Sequence, residues 1–276
     1  MSEGLFTKEQ ANHLPKNDIM KNDFGWEVPV ESVPLPSRGV VYDPNGNLYR
    51  KETLQIRAMT AQDEDILTSQ ALIKDGQVVS WLIRSCLVDK SINVDEMIGG
   101  DRIALMVSIR ITGYGADYQI NPTCENCGHR NEVNVDLSSL GIKRLAIEPV
   151  EPGKNLFSFQ LPVSKKVVVF KFLNSRDEKE RQASRDFIKK QTDGQLDNGV
   201  TSYLENCIVS IDNITDKLKV KHFIKYMPAR DSKALRKYIA ESEPGLDMSA
   251  SFSCSNCGTH NEIRLPVTSE FFWPDT

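Results

Sequence analysis

A chain of 276 residues, 39% of them hydrophobic, is long enough to bury a substantial core as one large domain or two smaller ones. Its 34 basic and 38 acidic residues leave a net charge of −4, which argues against a dedicated nucleic-acid or membrane-surface binder. The N-terminus lacks a signal-peptide layout, and no apolar run reaches the roughly 20 residues of a membrane span. We therefore expect a soluble protein made in a reducing cytoplasm.

The first part of the chain predicts an arm, a hairpin and a capped helix. Residues 1–40 are polar and then proline-rich, as in "WEVPVESVPLPSRG", which predicts an extended N-terminal arm outside the core. The turn sequence at 43–46, Asp-Pro-Asn-Gly, predicts a hairpin, and residues 53–58 a strand. Thr60 and Asp63 have the spacing of a capping box and predict the start of a helix.

Two more helices are expected before the first cysteine pair. In "VVSWLIRSCLV" the apolar residues recur at helical spacing, and Cys86 lies on that apolar face, which favours a role in core packing. In "GGDRIALMVSIRITGYG" the apolar residues almost encircle the helix, so it should be buried on several sides, with Asp101 as its N-cap.

After a connection at 141–155, which is rich in proline and glycine, the same order of elements returns. The segment "KKVVVFKF" predicts a strand, and Asn174 with Asp177 predicts a second capped helix. The segments "VTSYLENCIV", which places Cys207 on an apolar face, and "RDSKALRKYIAESEPG" predict two further helices.

An ungapped alignment supports an internal duplication. Placing residues 101–132 over 231–262 aligns twelve identical positions in thirty-two, where chance gives about two. The sequence therefore predicts an α+β fold with two pseudo-symmetric halves, 41–147 and 148–276. Each half should contain a strand or hairpin, about three helices and a Cys-x-x-Cys turn.

The two turns are "CENCGHRNE", with Cys124 and Cys127, and "CSNCGTHNE", with Cys254 and Cys257. Such a turn aims two thiolates at one metal, and tetrahedral zinc needs four ligands. Within each half the nearest other candidates, His129 and His260, lie too close to their own turns to complete a site. We therefore predict one structural Zn²⁺ site of four cysteines. With 126 residues between the pairs, it would act as a clasp between the halves.

Other interpretations of the turns remain open. A redox Cys-x-x-Cys usually opens a helix, and no helical pattern follows either turn. A nucleic-acid zinc ribbon would need clustered basic and aromatic residues, which the flanking sequence lacks. The thiols could also pack without a metal.

The remaining polar residues do not indicate catalysis. The acidic clusters "QDEDI" and "RDEKE" begin helices, where carboxylates interact favourably with the helix dipole, and no acid, base or nucleophile gathers around them. His13 and His222 are expected to be solvated. At the C-terminus, Phe271, Phe272 and Trp273 could equally pack on their own fold or anchor in a partner.

Several motifs in order, "LPSRGVVYDPNGNLY", "IRAMTAQDEDIL", "GGDRIALMVSIRITGYGADY", "CENCGHRNEVNVDL" and a closing "FFWPD", resemble the baseplate protein family of contractile-tailed bacteriophages of the T-even type. This family is linked to the central baseplate hub. The resemblance implies a structural or assembly role without catalysis, in the host cytoplasm during assembly and in the virion tail baseplate. Only the four turn cysteines carry over as functional positions.

The resemblance also implies partners: other hub subunits and the tape-measure protein, which the arm and the aromatic tail would engage. We expect no nucleic acid, membrane or small-molecule substrate. The alternatives are a zinc-ribbon nucleic-acid-binding protein and, with less support, a thiol oxidoreductase acting through one Cys-x-x-Cys pair.

Overall fold

The computed structural model describes residues 25, 28–192, 195, 197–265 and 269–272. These residues form a mixed α+β fold with eight α-helices and small antiparallel sheets. The helices are α1 Ala61–Thr68, α2 Gln70–Lys74, α3 Val78–Cys86, α4 Gly99–Tyr114, α5 Ser175–Gln191, α6 Gly199–Cys207, α7 Lys217–Tyr226 and α8 Ala229–Ser242. The strands are β1 Val30–Pro34, β2 Thr53–Arg57, β3 Asp117–Ile120, β4 Val133–Asp136, β5 Ile142–Lys143, β6 Phe157–Gln160, β7 Val167–Phe170, β8 Ile208–Ile211, β9 Gly245–Leu246, β10 Ser249–Ser253 and β11 His260–Arg264. Among the described helices, none has the length and apolar character needed to cross a membrane.

Part of the predicted arm belongs to the folded body. The proline-rich segment is extended, as expected, but β1 pairs antiparallel with β2, with Val33 opposite Leu54. Val33 and Leu35 are fully buried in the core. A strand rather than free polyproline backbone forms here because pairing with β2 satisfies its backbone groups while Val30 and Val33 are both buried. Residues 1–24, 26 and 27 of the predicted arm lie outside the described residues.

The turn at Asp43 forms, but not as a tight hairpin. The Gly46 backbone N–H donates to the Asp43 carbonyl at 2.8 Å, and Asn45 N–H donates to the Asp43 carboxylate at 2.8 Å. This turn is one of several in a long connection between β1 and β2. The strand predicted at 53–58 is β2, one residue shorter.

Both predicted capping boxes are present. At the start of α1, the side chain of Thr60 accepts the backbone N–H of Asp63, and the side chain of Asp63 accepts the backbone N–H of Thr60. Asn174 and Asp177 form the same reciprocal pair at the start of α5. Downstream of Thr60 the helical segment is divided, because Ser69 is extended and separates α1 from α2. Residues 41–147 and the described part of 148–276 contain four helices each, where about three were expected.

Asp101 is not the N-cap that the sequence indicated. Helix α4 begins at Gly99, and Asp101 lies inside its first turn, fully buried. Its carboxylate accepts the Ser37 backbone N–H at 2.9 Å and the Tyr42 hydroxyl at 2.6 Å. The residue therefore ties α4 to the connection after β1, a long-range role that helix-capping rules do not consider. The predicted burial of α4 on several sides is confirmed.

One hydrophobic core runs through both parts of the chain. It joins Leu105 and Ile109 of α4 to Leu235 and Ile239 of α8, which belong to the same cluster. Direct backbone contacts also connect the parts. Among them, β5 pairs with β9, Gly99 N–H donates to the Leu173 carbonyl at 3.1 Å, and the α4 backbone at Gly100 lies against that of Pro244. A Cβ on Gly100 would be 1.8 Å from the Pro244 carbonyl oxygen, so only glycine allows this approach.

The structure also shows where the two single cysteines, the C-terminal aromatics and His222 lie. Cys86 and Cys207 are fully buried, and burial is the main cause that raises the pKa of each thiol to about 12. Phe271 and Phe272 pack in cis with no exposed surface, and the Phe271 ring lies 5.0 Å from that of Tyr118. His222 is exposed on α7, as expected. The predictions for His13 and Trp273 lie outside the described residues.

Candidate metal centre

Two short hairpins carry the cysteines. The first turn connects β3 to β4, and the second connects β10 to β11. In the first turn the Cys124 N–H donates to the His129 carbonyl at 2.8 Å, and the Gly128 N–H donates to the Cys124 carbonyl at 2.9 Å. Gly128 has a φ of 72°, a conformation that glycine adopts readily.

The second turn repeats this backbone pattern: Cys254 N–H donates to the Thr259 carbonyl at 2.9 Å, and Gly258, with a φ of 71°, donates to the Cys254 carbonyl at 2.9 Å. Neither turn begins a helix, since β4 and β11 follow them. The geometry is therefore compatible with a metal-binding turn and differs from that of a helix-opening redox motif.

The structure brings the four predicted cysteines together. Their sulfur atoms all lie within 4.8 Å of one another. Two contacts cross between the turns, Cys124 Sγ to Cys257 Sγ at 3.7 Å and Cys127 Sγ to Cys254 Sγ at 3.6 Å. Tetrahedral zinc with Zn–S bonds of about 2.3 Å places its sulfurs about 3.8 Å apart. The four thiols therefore fit the first coordination shell of a zinc ion.

Buried asparagines connect each turn to the sulfurs of the other. The Asn131 side-chain N–H donates to Cys254 Sγ at 3.6 Å, and its carbonyl oxygen accepts the Ser255 backbone N–H at 2.8 Å. Asn261 mirrors it, donating to Cys124 Sγ at 3.6 Å and accepting the Glu125 N–H at 3.2 Å.

A second, exposed pair of asparagines completes the set. Asn126, between the first two cysteines, donates to Cys257 Sγ at 3.7 Å, and Asn256, between the second two, donates to Cys127 Sγ at 3.7 Å. Each of the four sulfurs thus accepts an amide N–H from the opposite turn. Such donors stabilise thiolate charge and orient metal ligands.

The hydrogen bonds act unequally on the thiols. The side chain of Thr259 and then its backbone N–H lower the pKa of Cys257 to about 5. The backbone N–H groups of Cys257 and Asn256 are among the donors that lower the pKa of Cys254, although burial opposes them. Hydrogen bonds from the His129 backbone and the Asn256 side chain favour the Cys127 thiolate, but the contacts with Cys257 and Cys254 and burial together outweigh them, and the pKa of Cys127 is raised. Thiolates this close repel one another, so a bound cation would be needed to ionise all four together.

The surroundings of the four cysteines bear on the other interpretations of the two turns. The ligand cluster among the described residues consists of the four cysteines and does not include His129 or His260. Exposed charges near the turns are of both signs, Glu125, Arg130 and Glu132 among them, so they form no basic patch.

Sequence reasoning missed the role of the asparagines. The available signal was their identity in both turns, since Asn126 and Asn131 have the same register as Asn256 and Asn261. Nothing in either turn alone shows that each amide reaches a sulfur of the other.

A comparison with known families agrees with the motif resemblance. Residues 42–273 match the family described as T4 bacteriophage base plate protein. The chain belongs to this family. The match spans both Cys-x-x-Cys turns and most of the chain, and family membership implies a component of the virion tail. No curated protein and no solved structure matches this baseplate-family chain significantly.

Proposed function

We propose that the chain is a structural or assembly component of the contractile-tail baseplate hub, acting through protein contacts and held in one shape by a zinc clasp. Family membership supports the baseplate role. The observation that carries the clasp is the pairing of sulfurs across the two turns at 3.6 and 3.7 Å. An assembly component must present surfaces in fixed relative positions, and a metal that crosslinks distant parts of the chain does this.

The proposed ligands are Cys124, Cys127, Cys254 and Cys257, and the proposed metal is Zn²⁺. Four thiolates in a closed set match structural zinc, which leaves no open coordination position for chemistry. When bound, zinc would supply the charge that lets the thiolates coexist, while the asparagine amides hold them in orientation.

The proposed role does not require catalysis. The carboxylates that the sequence places at helix starts are engaged in structural contacts: Asp63 pairs with Arg57 at 2.6 Å, and Asp177 pairs with Lys171 at 2.6 Å. Both also belong to capping boxes. Because these carboxylates have structural roles, they favour a protein that binds its partners without catalysing a reaction.

We also propose that residues 41–147 and 148–276 arose by duplication, with β1 added to the first half. The antiparallel pair β1 and β2 corresponds to β6 and β7, and the ion pairs of Asp63 and Asp177 occupy matching places. Arg38, with a φ of 52°, and Lys165, with a φ of 59°, each lie shortly after a Leu-Pro sequence. The reciprocal asparagine contacts fit a pseudo-twofold axis through the clasp.

The proposed partners are other hub subunits and the tape-measure protein. Because Phe271 and Phe272 pack in cis, they are used inside the fold and do not supply the proposed anchor. We therefore propose that the N-terminal arm and exposed surfaces of the folded body make the contacts with partners. The chain would meet these partners in the host cytoplasm and remain with them in the tail baseplate.

Metal analysis of the purified chain tests the clasp. We expect one zinc per chain, lost in both the Cys124→Ser and the Cys254→Ser variants, whereas Cys86→Ala keeps its zinc. Thiol titration should show four additional reactive thiols after a strong chelator is added. Two independent sites would leave metal in each single variant, and a redox pair would oxidise regardless of chelator.

Purification of tail intermediates tests the baseplate role. We expect the tagged chain to co-purify with baseplate intermediates from infected cells. Its absence from both intermediates and virions would overturn the proposal, and salt-dependent binding to DNA or RNA would favour the nucleic-acid alternative.

A further inference from the structure

Helix α7 has no counterpart in the first part of the chain. Between α3 and α4 the described chain forms a β-bridge at Leu87 and the one-turn 3-10 helix Val94–Glu96, but no α-helix. Between α6 and α8, the corresponding place, it forms β8 and α7. The helix is therefore an addition to the shared pattern of elements, and its sequence "KLKVKHFIKY" contains four lysines and no acidic residue.

Only one side of α7 is used by the fold. Val220 and Ile224 are buried against the body, while Leu218 is 79% exposed and Tyr226 is 67% exposed. With 3.6 residues per turn, Leu218, His222 and Tyr226 lie along one stripe opposite the two buried residues. The His222 and Tyr226 rings are in contact, with centroids 4.8 Å apart. We call this stripe the α7 ridge.

Lysines flank the α7 ridge on both sides, and most are not neutralised. Lys221 pairs with Glu205 at 3.1 Å. For Lys217, Lys219 and Lys225, no carboxylate of the described part of the chain lies within ion-pair distance. Lysines thus predominate around two exposed apolar side chains on a protein whose net charge is −4, and the carboxylate of Asp216 caps the helix N-terminus by accepting the Lys219 backbone N–H.

We propose that the α7 ridge is a docking surface for another baseplate protein, one that presents an apolar groove rimmed by carboxylates. Leu218 and Tyr226 would enter the groove, and Lys217, Lys219 and Lys225 would meet its acidic rim. Helices commonly dock in this way, with apolar anchors at i, i+4 and i+8 and with charges that steer the encounter. The proposal rests on the baseplate role proposed above.

Two other classes of partner fit the surface less well. A nucleic-acid backbone would satisfy the lysines but offers no apolar pocket for Leu218. A membrane would need a broad apolar face turned outward, whereas Val220 and Ile224 of α7 face the protein interior.

The test measures binding of the full chain to baseplate intermediates purified from cells infected with phage that lack this chain. One variant combines Leu218→Ser with Tyr226→Ser, and a second combines Lys217→Glu, Lys219→Glu and Lys225→Glu. Each should raise the Kd at least about tenfold, the charge variant most strongly at low salt. Unchanged Tm and far-UV circular dichroism would show that the variants fold.

Matched controls change the same chemistry elsewhere. Phe187→Ser removes a side chain that is 59% exposed on α5, and a triple variant, Lys74→Glu with Lys190→Glu and Lys233→Glu, gives the same net charge. Both should keep the Kd within about twofold of the native value. A loss of binding in these controls equal to that of the α7 variants would overturn the docking surface.

Three further outcomes decide against the proposal. Native binding that survives the α7 substitutions overturns the docking surface and leaves the baseplate role intact, while absence of native binding overturns both. If the α7 substitutions instead abolish binding to a DNA duplex, or self-association seen by sedimentation, then the partner is nucleic acid or a second copy of this chain.

Discussion

The side-chain amide of Asn131 donates to the sulfur of Cys254 at 3.6 Å, across the space between the two Cys-x-x-Cys turns. Asn261 and Cys124 make the same contact in the opposite direction, also at 3.6 Å. The two turns are therefore held in register by reciprocal hydrogen bonds as well as by the proposed zinc. This relationship makes the contribution of each asparagine testable.

We predict that Asn131→Ala and Asn261→Ala each weaken zinc binding about 10- to 100-fold, because each leaves one thiolate without a buried amide donor. Competition with a chromophoric chelator measures the affinity. Asn134→Ala is the control, since the Asn134 amide instead reaches the Asp117 carboxylate at 3.5 Å. A large effect from one asparagine and none from the other would contradict the reciprocal arrangement.

The contact between α4 and Pro244 predicts different responses at two neighbouring glycines. Gly100→Ala should lower the free energy of unfolding by about 3 kcal/mol, because its Cβ would meet the Pro244 carbonyl oxygen at 1.8 Å and the backbones would have to separate. At Gly99 the nearest atom to a Cβ is Glu178 Oε1 at 3.5 Å, so Gly99→Ala should be nearly neutral. Urea denaturation measures both, and equal effects would show that this approach is not tight in solution.

The lowered pKa of Asp63 predicts that the protein loses stability in acid. Burial alone would raise the pKa of this carboxyl, but hydrogen bonds from Arg57, Ser85 and Thr60 outweigh burial and lower the pKa to about 2. Because this lies below the unfolded value of about 3.9, its stabilisation is complete above that pH and disappears as the pH falls toward 2.

The Asp63→Asn variant should therefore lose about 2 kcal/mol of unfolding free energy at pH 7. The difference from the native chain should shrink progressively below pH 4. Asp65→Asn, at an exposed position of the same helix, is the control and should change little. If the unfolding free energies of the native chain and the Asp63→Asn variant differ by the same amount at pH 7 and at pH 2, the ion-pair explanation is contradicted.

The raised pKa of Glu243 predicts the opposite dependence of stability on pH. Burial, with repulsion from Glu178, raises the pKa of this carboxyl to about 7, although Lys143 and Arg264 partly oppose the shift. The unfolded value is about 4.3, so the native chain should lose stability as the pH rises from there through 7. Glu243→Gln should raise the unfolding free energy by up to about 2 kcal/mol at pH 8 and leave it unchanged near pH 4.

Thermal unfolding at the two pH values measures this effect. Glu241→Gln, which changes an exposed carboxylate two residues away, should show no such pH dependence. A gain that is the same at both pH values would mean that the substitution acts through packing and not through ionisation.

Elements that depend on neighbouring residues were predictable from sequence. The capping boxes at Thr60 and Asn174 require only residues three apart, and the cysteine turns require only a short motif. The sequence analysis did not predict helix α7. Its many lysines make the helical spacing of apolar residues hard to recognise, because only Val220 and Ile224 are buried in this helix. The role of Asp101 was wrong because its partners, Ser37 and Tyr42, are distant in sequence.

By itself, the sequence determined the α+β class, the cysteines that could hold a metal and the motif order of a baseplate family. Only the tertiary structure decided that the two turns meet, with sulfurs 3.6 and 3.7 Å apart and an opposite-turn amide on each. The physical reason is that this geometry depends on long-range packing. The β5–β9 pairing, the approach of Gly100 to Pro244 and a shared core position the hairpins, and no local propensity encodes these contacts.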